Sequence, residues 1–266
     1  MAGPTTAARD ARAQAESGRS GPGGSPSGRR FRLPGRYALI AVAAGAALAA
    51  GAGIWVLYGS HWLRVERVST SGTDVLTVAR VEEAAAVPIG SPLVSVDTGA
   101  IEERLRRRLP RIETVEAIRS WPHGISLKVT ERQPVLLIEK GGKFIEVDAG
   151  GTRFATVGQA PKGVPLLELT GKQSAGQQRF PADRLTREAV RVRSELPRKV
   201  AADTRAVRVR SYDSISLELT GGRTVMWGSG EDGAAKARAL TALMKAAPGA
   251  GHFDVSAPTA PASSRS

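Results

Sequence analysis

Residues Tyr37–Tyr58 (YALIAVAAGAALAAGAGIWVLY) form an unbroken run of 22 uncharged residues, and this run constrains the chain more than any other feature. As an α-helix at ~1.5 Å per residue it reaches about 33 Å, enough to cross a hydrocarbon core of about 30 Å. Tyr37, Trp55, Tyr58 and Trp62 stand at or near its ends, where amphipathic rings favour the membrane interface. Arg29, Arg30, Arg32 and Arg36 precede it closely, which places the N-terminus in the cytoplasm by the positive-inside rule. Gly45, Ala49, Gly51 and Gly53 permit close helix contacts, although a Gly/Ala-rich composition supplies such residues anyway. The rival reading is a cleaved signal peptide. Against it stand the long n-region and the apolar Ile54–Tyr58, which continues past the small residues.

Residues 1–36 hold almost no large apolar side chain and read as a disordered basic tail, with seven arginines against Asp10 and Glu16. Of the chain's +13, this leaves +8 outside the membrane. The predicted compartment argues against nucleic acid. Anionic wall polymers or headgroups suit such a surface as diffuse partners. There is no cysteine, and the three histidines (His61, His123, His252) are far apart. Disulfides, thiolate chemistry and a His-rich metal centre are thereby excluded, and no cofactor is expected.

The outer part divides into two folding units, and the fold class read from them is α+β. The first spans 63–132. Leu63–Val68 alternates as a strand does. Gly72 breaks it, and Thr73 or Asp74 can cap a helix running to about Val87. Asp97 can cap a second helix, with Ile101, Leu105 and Leu109 on one face and Arg106–Arg108 near its end. Strands follow at about Val115–Trp121 and Ile125–Thr130, joined through Pro122-His123-Gly124. The order is β-α-α-β-β. Trp121 reads as a core or hinge packing residue, and Arg104–Arg108 as a solvated helix face.

The second unit, 133–261, is mainly antiparallel strand with two or more helices. Val135–Glu139 and Lys143–Val147 flank a Lys140-Gly141-Gly142 turn. Further strands are read at 153–157, 164–169, 207–209, 214–219, 223–227 and 253–255. Helices are read at 185–196 and 231–247. Residues 262–266 read as a flexible tail.

Catalytic patterns are absent where they are looked for. There is no G-x-S-x-G elbow, H-E-x-x-H, phosphate loop or dinucleotide fingerprint, and Gly171-Lys172 lacks the flanking residues of a phosphate loop. Glu131, Glu139, Asp148 and Glu168 could supply a carboxylate pair, but acidic residues at turns are ordinarily solvated. An anchored chain of two small domains without visible chemistry suits binding, and an exposed strand edge can accept a partner's strand.

Four stretches carry a resemblance to the bacterial FtsQ/DivIB family: Val65–Gly72, Arg119–Val135, Val147–Phe154 with Val164-Pro165-Leu166, and Trp227-Gly228, Lys236 and Phe253–Ser256 in order. The most specific is Arg119-Ser-Trp-Pro…Val129-Thr-Glu-Arg-Gln-Pro-Val135, which resembles the family's Arg-x-Trp-Pro…Val-x-Glu-Arg-x-Pro-Val signature. The resemblance implies a POTRA domain carrying Arg119, Trp121, Pro122, Glu131, Arg132 and Pro134 as structural signature residues, then an FtsQ-type β domain. It implies a non-enzymatic bitopic scaffold of the division septum. Its partners would be FtsB/DivIC-like and FtsL-like proteins, with no nucleic acid and no small-molecule substrate. The implied partner edge is His252, Phe253, Asp254, Val255 and Ser256, supported by the strand of Arg223, Val225 and Trp227. A proline at Phe253 is then expected to weaken partner capture while largely sparing the fold. The alternatives are an anchored POTRA chaperone or translocation component and an anchored cell-wall enzyme.

Overall fold

The computed structural model describes residues 35–59, 61–169 and 182–265. Most of the basic tail and the Gly171-Lys172 pair lie outside the described residues. Helix α1 (Arg36–Gly59) is continuous and carries no buried side chain. Among the described residues it is the one helix long and apolar enough to cross a membrane. In water, rows of exposed Leu39, Ile40, Val42 and Leu48 would be costly. In hydrocarbon they are the favoured arrangement.

A three-residue helical turn (His61–Leu63) leads into β1 (Arg67–Ser71), α2 (Val78–Ala85), α3 (Thr98–Arg108), β2 (Ile112–Ser120) and β3 (Gly124–Glu131). The strands form a sheet in the order β1-β3-β2. β1 runs parallel to β3 (Arg67 opposite Gly124, Ser71 opposite Lys128), and β2 antiparallel to it. The helices, through Val81, Ile101 and Leu105, and Leu93 from the turn between them cover this sheet, all four at most 2% exposed, over Ile112, Ile125 and Leu127. The expected β-α-α-β-β order is the order observed.

β1 and α2 begin later than the sequence reading has them, and β2 begins earlier, at Ile112. The alternation at 63–68 straddles the helical turn and an isolated bridge from Arg64 to Pro92, so β1 begins only at Arg67. α2 starts at Val78 because the N–H groups of Asp74, Val75 and Leu76 are taken by the Glu131 carboxylate. The Thr77 hydroxyl then accepts from the Arg80 N–H as the cap. Gly72, at φ 81°, lies so close to β3 that a Cβ there would stand 2.0 Å from the Val129 carbonyl oxygen, which only glycine avoids.

The second unit begins with β4 (Leu136–Lys140), β5 (Lys143–Val147), β6 (Arg153–Val157) and β7 (Leu166–Leu169). Helices α4 (Ala182–Glu195) and α5 (Arg198–Asp203) follow, then β8 (Thr204–Ser211), β9 (Ser214–Leu219), β10 (Thr224–Gly228), α6 (Gly233–Ala246), β11 (His252–Asp254) and β12 (Ala262–Ser264). One nine-stranded sheet runs β12-β11-β10-β9-β8-β7-β4-β5-β6. Most pairings are antiparallel. Those of β4 with β7, β7 with β8, and β10 with β11 are parallel. Leu185, Ala189 and Val192 of α4 and Leu240 of α6 are buried in the cluster that holds Leu136, Val207, Ile215, Trp227 and Phe253. The residues read as a flexible tail contain a strand: 262–264 pair with β11. Alanine and serine give no hydrophobic alternation, so this strand has no pattern to read.

Candidate partner-binding edge

Three strands build the C-terminal end of the large sheet. β10 pairs antiparallel with β9 and parallel with β11, with Thr224 opposite His252 and Val225 opposite Phe253. Val225, Trp227, Phe253 and Val255 are essentially inaccessible, while His252 and Asp254 are half-buried. The alternation therefore divides the expected edge residues: Phe253 and Val255 are core, and His252 and Asp254 are not.

The backbone bonds fix which groups face outward. The Thr224 N–H donates to the Gly251 carbonyl at 2.9 Å, and the Val255 N–H donates to the Met226 carbonyl at 2.9 Å. A planar trans peptide sets its C=O and N–H on opposite sides. The N–H of His252 and the C=O of Asp254 thus point away from β10, toward the outer side of β11. In the parallel ladder, the N–H of Phe253 points back to β10. This corrects the expectation for a proline at Phe253. It would break the β10–β11 ladder and the core, not the outer edge.

That outer side is occupied by the chain itself. β12 lies antiparallel along it, with His252 opposite Ser264 and Asp254 opposite Ala262, and the Gly251 N–H donates to the Ser264 carbonyl at 3.1 Å. All three β12 residues are exposed, so the strand is held by backbone bonds without a buried side chain. Local side-chain bonds shape the end of β11. The Asp254 carboxylate accepts from the Ser256 hydroxyl at 2.7 Å and the Ser256 N–H at 2.9 Å. The hydroxyl bond, then the backbone bond and nearby His252, hold the Asp254 carboxyl below its ordinary value against the opposing effect of burial. A 2.8 Å bond between the Thr224 hydroxyl and His252 Nδ1 ties β11 to β10. Arg223 reaches Asp203 at 3.0 Å, bracing the start of the supporting strand.

Lys236 is nearly inaccessible, and its ammonium donates to the Ser229 carbonyl at 2.9 Å. Burial pushes its pKa down, opposed by Asp232, Glu231 and Glu195. It pins the loop after β10 to α6 and so acts in the fold beneath the edge.

Three of the signature residues, Arg119, Glu131 and Arg132, are held by hydrogen bonds and ion pairs. Arg119 donates to the carbonyls of Leu93 (3.2 Å) and Val96 (2.6 Å), closing the turn before α3. The Glu131 carboxylate accepts from the N–H groups of Asp74 (2.8 Å), Leu76 (2.9 Å) and Val75 (3.1 Å). Burial pushes its pKa up, but those amides and Arg111 outweigh it and hold the carboxyl below its ordinary value. Arg132 donates to the Pro110 carbonyl at 3.1 Å and pairs with Asp148. Trp121 differs from expectation. It sits in the β2–β3 turn, 53% exposed, beside a cis peptide to Pro122. Arg104 also differs: it donates to the Ala85 (2.6 Å) and Ala86 (3.2 Å) carbonyls at the end of α2 instead of standing in solvent. Of the four carboxylates that could have formed a catalytic pair, Glu131 and Asp148 are engaged as described and Glu168 bonds Arg208 at 2.6 Å. Neither β12 nor the Glu131 cradle has a signal in the sequence. The cradle joins groups 55 to 57 residues apart in the chain, and β12 has no hydrophobic alternation.

The comparisons with known proteins bear on both units. The model of the FtsQ-type POTRA domain matches residues 63–132, and that of the cell division protein FtsQ/DivIB C-terminal region matches residues 136–256. Cell division protein FtsQ of Streptomyces coelicolor is 64% identical over 270 residues, covering 100% of each chain. That of Streptomyces venezuelae is 62% identical over 270 residues, covering 100% of this chain and 99% of its own. That of Mycolicibacterium smegmatis is 33% identical over 255 residues, covering 96% and 72%. With both units matched in order and the likeness running the length of the chain, this protein belongs to the FtsQ/DivIB family of cell division proteins.

Proposed function

We propose that the chain is a non-enzymatic scaffold of the division septum. Residues 1–36 are its cytoplasmic tail, 37–58 its single membrane span, and 63–132 and 133–261 its two extracytoplasmic domains. It holds small single-span division proteins of the FtsB/DivIC and FtsL kinds. A partner segment adds as a strand to the outer side of β11, in the place that β12 occupies here.

The observation that carries this reading is the cover on β11. The outer side of β11, toward which the N–H of His252 and the C=O of Asp254 point, is paired along its length with a strand whose three side chains are all exposed. Replacing β12 by a partner strand exchanges backbone bonds one for another and uncovers no β12 side chain from the core, so the exchange is cheap. The family membership supports a role in division, and the arginines before α1 support a cytoplasmic N-terminus.

The test compares partner recovery from cells carrying the full chain and a chain ending at Ser256. Recovery of the FtsB/DivIC- and FtsL-like proteins kept or raised by the truncation supports the exchange. Recovery lost, with the melting temperature unchanged, shows that the partner docks on residues 257–266 or beside β12.

A further inference from the structure

The start of the first domain gathers an exposed aromatic and basic surface. Among the described residues after the membrane helix, Trp62 (76%), Ile89 (62%) and Trp121 (53%) are large apolar side chains left open to solvent. They are distant in sequence, but the backbone brings their segments to one place. The Val65 N–H donates to the Ser91 carbonyl at 2.9 Å, and the Gly90 N–H to the Val65 carbonyl at 2.8 Å. The Glu66 N–H donates to the His123 carbonyl at 2.9 Å. The loop holding Ile89 and the turn holding Trp121 are thus both bonded to the three residues that follow Leu63.

The same segments, 61–69, 87–93 and 118–125, contain Arg64, Arg67 and Arg119 against a single acid, Glu66. Arg64 reaches the Gly90 carbonyl at 2.8 Å and Arg67 the His123 ring at 2.9 Å, so both guanidiniums lie at this end of the domain.

The covalent chain limits how far this surface can be from the bilayer. α1 ends at Gly59, and Glu66, already bonded to the Trp121 turn, is seven residues on. Fully extended, seven residues span at most ~25 Å, and the helical turn at 61–63 shortens that. Tryptophan and arginine together are what a headgroup layer favours: the ring at the acyl boundary, the guanidinium on phosphate.

We propose that Trp62, Ile89 and Trp121, with Arg64 and Arg67, form a docking surface for the outer leaflet, seating the first domain on anionic phospholipid headgroups. This goes beyond the partner site and rests on the reading of α1 as a membrane span. The Trp-Pro turn is then a membrane contact, which accounts for a tryptophan that the core does not bury.

The chain has no cysteine, so single probes can be placed at will. Full-length protein carrying an environment-sensitive fluorophore at Trp121→Cys, Ile89→Cys, Val56→Cys or Lys140→Cys is reconstituted into vesicles of phosphatidylglycerol and phosphatidylethanolamine containing a lipid-borne quencher. The expected result is a blue shift and quenching at positions 121 and 89, little at 140, and a loss of the signal at 121 in Arg64→Gln/Arg67→Gln protein or in vesicles of neutral lipid. Quenching at 56 with none at 121 or 89 overturns this proposal and leaves the membrane span standing. No quenching at 56 overturns the span and the proposal together. A blue shift at 121 without lipid quenching overturns the lipid assignment, because a second copy of the chain then covers the turn.

Discussion

Arg111 and Glu146 pair across the junction of the two outer units, with side chains 11% and 3% exposed. The Arg111 guanidinium also lies over the Phe154 ring, 5.2 Å from its centroid. A second pair, Arg132 with Asp148, crosses the same junction. The Asp148 carboxylate accepts in addition from the N–H groups of Gly150 and Thr152, at 2.9 and 2.8 Å, so one residue fixes both a turn and the junction.

Removing one member of the buried pair strands the other. Arg111→Met is expected to cost about 3–5 kcal/mol, because Glu146 stays buried without its partner. Arg111→Met/Glu146→Leu is expected to recover most of that loss. Denaturant unfolding of the full chain in micelles checks both, and a double variant as unstable as the single one contradicts the account.

Glu131 gives the fold an acid limb. Its folded carboxyl lies below the ordinary 4.5. The stabilisation from its ionised form is therefore fully present above that ordinary value and is lost as pH falls through the lower folded value. Glu131→Gln is expected to lower stability at neutral pH by about 2–3 kcal/mol, since it weakens three bonds to a charged acceptor. It should also flatten the fall in melting temperature below pH 4.5. An unchanged acid slope contradicts this role.

Trp121→Ala is expected to shift stability by no more than about 0.5 kcal/mol, because half of the side chain is already in solvent. This reverses what a packing role predicts. Thermal unfolding of the variant distinguishes the two.

The two prolines separate edge from core. His252→Pro removes an outward N–H and is expected to reduce partner recovery with a small change in melting. Phe253→Pro removes a ladder bond to β10 and disturbs a fully buried ring, and is expected to prevent folding. Phe253→Ala should cost about 3–5 kcal/mol. Equal effects of the two prolines on melting would contradict the assignment of bond directions.

Much of the architecture was legible because local patterns agreed with the final contacts. Asp97 caps α3 through the Ala100 N–H at 3.0 Å, and Ile101, Leu105 and Leu109 all enter the core, as their spacing predicts. The hairpin at Lys140–Lys143 follows directly from its two glycines. What failed was set by distant residues. Glu131 draws three amides out of the turn before α2, so the helix begins later than Thr73 or Asp74 would allow. From sequence Arg104 reads as solvated because its acceptors, the carbonyls at the end of α2, are 19 and 18 residues back. At the candidate edge, the strand at 252–254 was visible from Phe253 and Val255, but not the direction of its bonds. Its cover by Ala262–Ser264 has no sequence signature.

The most direct test of the central claim is in-cell photo-crosslinking from His252 and from Asp254, in the full chain and in the chain ending at Ser256, with adducts identified by mass spectrometry. Adducts to small single-span coiled-coil division proteins are expected at both positions, with yields kept or raised when β12 is removed. Adducts that vanish on truncation, or that form only from probes in the first domain, would show that β11 is not the strand the partner joins.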